Sequence, residues 1–235
     1  MKRLLIALIL VFLTAVIVPV HAQPPAVGVC LSPSGTPSTC PPYMEVVSVD
    51  MAVSSGSYVG TIGIAGTIPS SLGDPNRFLE WDFLIDADRN NLTNPWGPWT
   101  LVENDIGADY RLFLGLLGTQ LSAAVQNLAH NTYANAKYSV NGLVIQLTVT
   151  PSPPIGGAAN FDFVVAVREY AKAGDPNSLM VFDKAPNVGH YSFVGGALTV
   201  VPEFPVGAPI LFAIILATVL FFTGKRTKTL KMVRT

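Results

Sequence analysis

The chain between residues 44 and 200 alternates apolar and polar positions with a period of two, in short runs bounded by Gly, Pro, Asn and Asp. Such alternation is typical of β-strands that turn one face toward a core. We therefore predict an all-β domain of about ten short strands, arranged as a two-sheet antiparallel β-sandwich. The predicted strands span residues 46–53, 58–66, 78–86, 109–115, 121–128, 135–140, 143–150, 161–170, 179–182 and 191–200.

Two local patterns support this prediction. In the run 78–86 the odd positions are apolar, whereas Glu80 and Asp82 share the other face, which predicts a strand with that face toward solvent. Asn141-Gly142 lies between two such runs and is a strong hairpin signal, because a type I′ turn needs positive φ at both central residues.

The N-terminus has the three-part pattern of a secretory signal peptide. Two basic residues precede an apolar run at 4–18, and Ala22 ends a segment that signal peptidase accepts. Pro19 breaks a helix just before this site. We predict that residues 1–22 are a cleaved signal peptide; an uncleaved signal anchor is the alternative.

The C-terminus predicts a membrane anchor. Residues 206–223 are almost unbroken in their apolar character, and about 18 helical residues reach roughly 27 Å, close to the thickness of the hydrocarbon core. The tail 224–235 carries five basic and no acidic residues. Segments rich in basic residues next to a membrane span stay on the cytoplasmic side. The body is therefore predicted to lie outside the cell, at its surface.

A short motif precedes this apolar run. Pro202, Glu203 and Phe204 lie within the segment 201–205, and a helix and a basic tail follow them. The arrangement resembles the PEF-type sorting signals that archaeosortases and exosortases recognise, which are membrane transpeptidase-like enzymes of prokaryotes. The resemblance covers about the last thirty residues and implies a sorting transpeptidase that removes the helix near the motif. A proline-stiffened spacer before a retained anchor is the alternative.

The exported body is acidic. Residues 23–204 carry seven basic and fifteen acidic residues, a net charge of minus eight, although the whole chain has a net charge of minus one. An acidic surface disfavours nucleic acid and favours cations. We therefore expect no nucleic-acid partner.

Cys30 and Cys40 flank a stretch rich in Pro, Ser and Thr at the start of the mature chain. In an oxidising exterior the two most simply close a small disulfide loop, worth roughly 2–3 kcal/mol. We predict that residues 23–43 form a flexible leader closed by this disulfide.

Oxygen-bearing side chains follow the third predicted strand directly. Asp86, Asp88 and Asn90 recur at alternate positions, which suits a hard cation such as Ca²⁺ that takes six to eight oxygens. An EF-hand does not fit, because the loop lacks the glycine and glutamate of that motif. One loop leaves an ion short of ligands, and Asp109 is the residue that returns to the same end of the sheet. A solvated acidic turn without an ion is the alternative.

These motifs resemble a known superfamily. A strand ending in Asp-x-Asp-x-Asn, then Gly-Ala-Asp-Tyr at 107–110 and Asp-Lys-Ala-Pro-Asn-x-Gly at 183–189, is similar to the DOMON-like superfamily that includes the family-nine carbohydrate-binding modules. The resemblance covers residues 46–200. It implies a two-sheet sandwich with a structural Ca²⁺ at the four candidate ligands, and often sugar or haem binding.

Trp96 and Trp99 flank Gly-Pro in the long loop after the acidic turn. Tryptophan faces on a rigid turn suit stacking on sugar rings, so this pair is the candidate ligand site; packing of the loop onto the sandwich is the alternative. Asn91 begins an N-glycosylation sequon, and a glycan there would compete with metal ligation by the same loop.

The mature chain lacks the parts of a hydrolytic enzyme. It has two histidines, His130 and His190, with no zinc-ligand spacing and no nucleophile elbow. We predict a non-enzymatic, membrane-anchored cell-surface module with structural calcium that recognises extracellular carbohydrate or another envelope component. The alternatives are a purely structural envelope protein, or a haem-carrying electron-transfer module that uses a pair such as Met180 and His190.

Overall fold

The structure, a computed structural model, describes residues 29–34, 36–90, 106–150, 159–186 and 189–201. These residues form thirteen strands and one short 3-10 helix. The strands are β1 (Val29–Leu31), β2 (Val46–Ser54), β3 (Ser57–Ile64), β4 (Phe78–Asp86), β5 (Tyr110–Leu117), β6 (Gln120–Asn127), β7 (Thr132–Asn135), β8 (Lys137–Asn141), β9 (Val144–Val149), β10 (Asn160–Tyr170), β11 (Leu179–Ala185), β12 (His190–Val194) and β13 (Ala197–Val201), and the helix is Pro176–Ser178.

The strands pair antiparallel in two sheets. The large sheet has the order β1-β11-β10-β4-β5-β6-β7, while β12 also pairs with β10, and β13 pairs with β12. The small sheet has the order β2-β3-β9-β8. The prediction of an all-β, two-sheet antiparallel sandwich is confirmed for the described residues.

Alternate side chains of both sheets form the core between them. The apolar positions of β4 and of β10 are almost fully buried, and burying each such large side chain stabilises the fold by roughly 1.5–3 kcal/mol. Phe161 stacks on Phe193 with ring centroids 5.1 Å apart. Trp81 Nε1 donates a hydrogen bond to the Tyr43 carbonyl oxygen at 3.1 Å, so this buried polar group is satisfied.

The predicted hairpin at Asn141-Gly142 forms, but with a different turn. Asn141 still pairs within the ladder, so the central residues are Gly142 and Leu143, and of the predicted pair only Gly142 has positive φ, at 61°. A glycine at the first central position suits a type II′ turn. Positive φ at two successive central residues occurs instead at Ser55 and Gly56, 50° and 74°, between β2 and β3.

Two predicted single strands are each two strands. The run 135–140 changes sheets at Ala136, because β7 pairs with β6 in the large sheet and β8 pairs with β9 in the small one. The run 191–200 is the hairpin β12–β13, which turns at Gly195-Gly196 with φ of 60° and 88°. The alternation of apolar and polar positions continues through Ala136 and so does not reveal the change of sheet, whereas at Gly195-Gly196 it shifts phase, and this glycine pair is itself a hairpin signal.

The described part of the predicted leader joins the large sheet. Strand β1 pairs with β11, with Cys30 opposite Asp183, and Leu31 forms a bridge with Pro37. The structure joins Cys30 to Cys40 by a disulfide, with Cα atoms 5.6 Å apart. Strand β1 therefore extends the edge of the large sheet. Composition had suggested a flexible segment here instead.

The predicted solvent-facing side of β4 is wrong. Glu80 and Asp82 are 1% and 0% exposed. Each carboxylate is paired across the sheet, because Arg111 on β5 and Arg168 on β10 point to the same face. Arg168 Nη2 lies 2.7 Å from Asp82 Oδ2, Arg111 Nε lies 2.8 Å from Asp82 Oδ1, and both guanidinium groups also contact Glu80.

This charged network is neutral as a whole, which makes its burial tolerable. Burial lowers the pKa of Arg168, but the carboxylates of Asp82 and Glu80 outweigh burial and hold that pKa above its ordinary value. Burial raises the pKa of Glu80. An apolar cluster that includes Leu84 and Phe182 is buried on the same face.

Candidate metal centre

Three of the four predicted metal ligands converge at one end of the large sheet. Asp86 ends β4, Asp88 lies in the turn that follows, and Asp109 directly precedes β5. One carboxylate oxygen of each lies within 4.8 Å of the others. Two oxygens on the same Ca²⁺ lie at most about 5 Å apart, because each Ca–O distance is about 2.3–2.6 Å. The spacing of this carboxylate cluster therefore fits a single metal ion.

Backbone amides orient these carboxylates. Ala87 N and Asp88 N donate to Asp109 Oδ2 at 2.9 and 3.2 Å, which joins the turn to the start of β5. Asn90 N donates to Asp86 Oδ1 at 3.2 Å and to Asp88 Oδ1 at 2.9 Å. The turn thus holds the three side chains together through its own backbone.

The carboxylate cluster concentrates negative charge in a partly buried place. Burial, together with a hydrogen bond to the Asp88 carboxyl, raises the pKa of Asp86 to about 6, although the amides of Asn90 and Gly107 oppose the shift. Because burial is the largest cause, the raised pKa reflects the cost of a negative charge at Asp86, which a proton or a bound cation reduces. A divalent cation bound to the three carboxylates would supply that charge at neutral pH.

Arg89 fixes the turn to neighbouring strands. It has positive φ, 57°, and its Nε donates to Asp162 Oδ2 on β10 at 3.1 Å while its Nη2 donates to Ser192 Oγ on β12 at 3.2 Å. The backbone of Asn90 belongs to the same turn. Ligation by the Asn90 side chain stays a prediction.

A cavity of about 310 Å³ opens beside the carboxylate cluster. Asp88 and Asp109 were predicted as metal ligands, but the sequence did not indicate that Asn127, Ala129 and His130 lie beside them. These residues meet Asp109 only through sheet register: Tyr110 pairs with Asn127, and Leu128 N donates to the Asp109 carbonyl. Without knowledge of that register, an Asn and a His near a turn do not indicate a site, because such residues are common in turns. The cavity is lined by Ala87, Asp88, Asp109, Tyr110, Asn127, Ala129 and His130.

The register separates the pair suggested for haem. Near Met180, Val181 pairs with Glu169, and next to His190, Tyr191 pairs with Phe163, both along the same side of β10. Six strand residues span roughly 20 Å. Met180 and His190 are therefore too far apart to be the two axial ligands of one haem.

Several predicted features lie outside the described residues. They include the cleavage site, the sequon and the apolar run that was predicted to span the membrane. No helix among the described residues is long and apolar enough to cross a membrane. The features are residues 1–22, Asn91, Trp96, Trp99, Pro202, Glu203, Phe204 and the segments 206–223 and 224–235.

Comparisons of the chain with protein-family models, with curated proteins and with solved structures find no match. The resemblances to DOMON-like modules and to PEF-type sorting signals stay predictions, which rest on the motif residues alone.

Proposed function

We propose that this chain is a membrane-anchored cell-surface module, without enzymatic activity, whose β-sandwich holds a structural Ca²⁺ and binds extracellular carbohydrate or another envelope component. The convergence of Asp86, Asp88 and Asp109 carries the proposal. Carboxylate ligands without sulfur or imidazole suit a hard cation. Ca²⁺ accepts an irregular set of such oxygens, whereas Mg²⁺ demands near-ideal octahedral geometry.

The ion has a structural role in this proposal. It ties the end of β4 to the start of β5 at the base of the segment 91–105, and it neutralises carboxylates that otherwise repel one another. A ligand that binds only the folded state adds RT ln(1 + [L]/Kd) to the free energy of unfolding, about 2.7 kcal/mol at a hundredfold excess over Kd.

The cellular placement rests on the sequence pattern. A signal peptide exports the body, the apolar run 206–223 anchors it, the basic tail stays inside, and a sorting transpeptidase acts near Pro202, Glu203 and Phe204. The disulfide between Cys30 and Cys40 supports an oxidising exterior. The partners are thus the membrane, the sorting enzyme and an extracellular polysaccharide or envelope component.

Thermal melting of the purified full-length protein tests the metal. We expect Ca²⁺ to raise the melting temperature of the wild type above its value in chelator, and Asp88→Ala to abolish this difference. Asp50→Ala, at an exposed position of β2, is the matched control and should keep it. A wild type that melts identically with Ca²⁺ and with chelator would show that the metal assignment is wrong.

A further inference from the structure

The cavity beside the carboxylate cluster shares two walls with it, Asp88 and Asp109. Asp86, the buried member of the cluster, is not among the residues that line the cavity. An ion held by all three therefore has one side toward the cavity. Three carboxylates that give one oxygen each leave three or more of the six to eight positions of Ca²⁺ for other oxygens. The cavity is where such oxygens can enter.

The remaining walls offer hydrogen-bonding groups and an aromatic ring. Tyr110 brings a ring and a hydroxyl, and His130 brings an exposed imidazole. Asn127 Oδ1 accepts a hydrogen bond from His130 N at 3.1 Å, so the amide NH₂ is the group of Asn127 that can donate to a ligand. A few polar groups beside an aromatic face, in a cavity of this size, are the usual features of a small-molecule site.

Charge narrows the class of ligand. Three carboxylates and one Ca²⁺ leave a net charge of about minus one, and this disfavours an anionic ligand. Neutral hydroxyl groups are the ligand groups that remain, since they replace water on the ion without adding charge. A ring with neighbouring hydroxyls suits both the open side of the ion and the aromatic wall.

We propose that this cavity is a saccharide site in which two neighbouring hydroxyls of a neutral sugar complete the coordination of the ion. Tyr110, Asn127 and His130 hold the rest of the sugar ring. The described residues that line it do not include the predicted ligand pair Trp96 and Trp99. This inference rests on the metal of the proposed function, and its test separates the two.

Titration calorimetry of the full-length protein with methyl glycosides of mannose, glucose and galactose tests the inference. We expect at least one glycoside to bind in Ca²⁺, and its affinity to fall at least about tenfold in chelator, because the ion supplies direct contacts. His130→Ala should weaken binding roughly fivefold, the loss expected for one hydrogen bond.

A blocking variant separates the cavity from the ion. Ala129→Trp fills the cavity without altering a carboxylate, so glycoside binding should fall at least about tenfold while the stabilisation by Ca²⁺ persists. Ala52→Trp, the same change at an exposed position of β2, is the matched control and should bind normally.

The outcomes are distinguishable. Stabilisation by Ca²⁺ without binding of any of the three glycosides would overturn the saccharide site and leave the metal assignment intact. Absence of both would overturn both. Glycoside binding that persists in chelator, or in Ala129→Trp, would show that the sugar binds elsewhere.

Discussion

At the scale of single residues, Asp183 joins the two sheets. It lies fully buried in β11, and its Oδ2 accepts a hydrogen bond from Val46 N on β2 at 2.7 Å. Burial raises the pKa of Asp183 to about 6, the charge of Glu45 adds to the shift, and the amides of Val46 and Lys184 oppose it. The Asp183 side chain therefore links β11 to β2, although burial makes its ionised form less favourable.

Asp183→Asn should change how stability depends on pH. An unfolded aspartate titrates near pH 4, so between about pH 4 and pH 6 the folded protein binds more protons, and its stability falls as pH rises. An asparagine still accepts from Val46 N but does not titrate. We expect the free energy of unfolding of the variant, relative to wild type, to rise by about 2–3 kcal/mol from pH 4 to pH 7.

Urea denaturation in chelator at both pH values measures this difference. Asp50→Asn, at an exposed position of β2, is the control and should show little change. A difference between Asp183→Asn and wild type that stays constant from pH 4 to pH 7 would contradict the raised pKa.

At the scale of elements, the buried charged network joins three strands. Glu80 and Asp82 on β4 lie between Arg111 on β5 and Arg168 on β10. The Arg111 guanidinium also lies 4.1 Å from the centre of the Phe113 ring. Because β4 runs between β5 and β10 in the middle of the large sheet, these pairs link β4 to both of its neighbouring strands.

Arg168→Met should destabilise the protein strongly. It leaves two buried carboxylates with one guanidinium, and an uncompensated buried charge costs about 3–5 kcal/mol of the free energy of unfolding. Adding Glu80→Gln restores neutrality and should recover part of the loss. Urea denaturation measures both, with Lys137→Met at an exposed position of β8 as the control. If the free energy of unfolding of Arg168→Met alone lies within about 1 kcal/mol of the wild-type value, the burial of this network is contradicted.

At the scale of the whole molecule, the proposal divides the chain into an exported sandwich and segments that only direct it. Among the described residues, the buried members of the core between the two sheets lie between Met44 and Phe193. In this proposal the two ends direct the protein to its location, and the sandwich binds the ligand.

Mass spectrometry of the mature protein tests this division. We expect a chain that begins at Gln23 and lacks the segment 206–223, because signal peptidase and the sorting enzyme remove the two apolar ends. Protease added to intact cells should digest the body, with a cytoplasmic protein as the protected control. If all mature protein ends at Thr235, the segment 206–223 is a retained anchor and the sorting enzyme does not act. If the body is protected from protease, export is contradicted.

The sequence by itself determined the all-β class, the span of β4 and the meeting of Asp86, Asp88 and Asp109. These features depend on a repeat of two and on neighbouring antiparallel strands, both of which are local. The pattern also indicated an acidic body that favours cations.

Only the tertiary structure decided what each strand lies against. The alternation in β4 is the same whether Glu80 and Asp82 meet water or arginines, and one of those arginines, Arg168, comes from β10, a strand distant in sequence. The change of sheet at Ala136 keeps the same alternation. The cavity forms because register places His130 beside Asp109, and register depends on pairing across the whole sheet, which a local pattern does not contain.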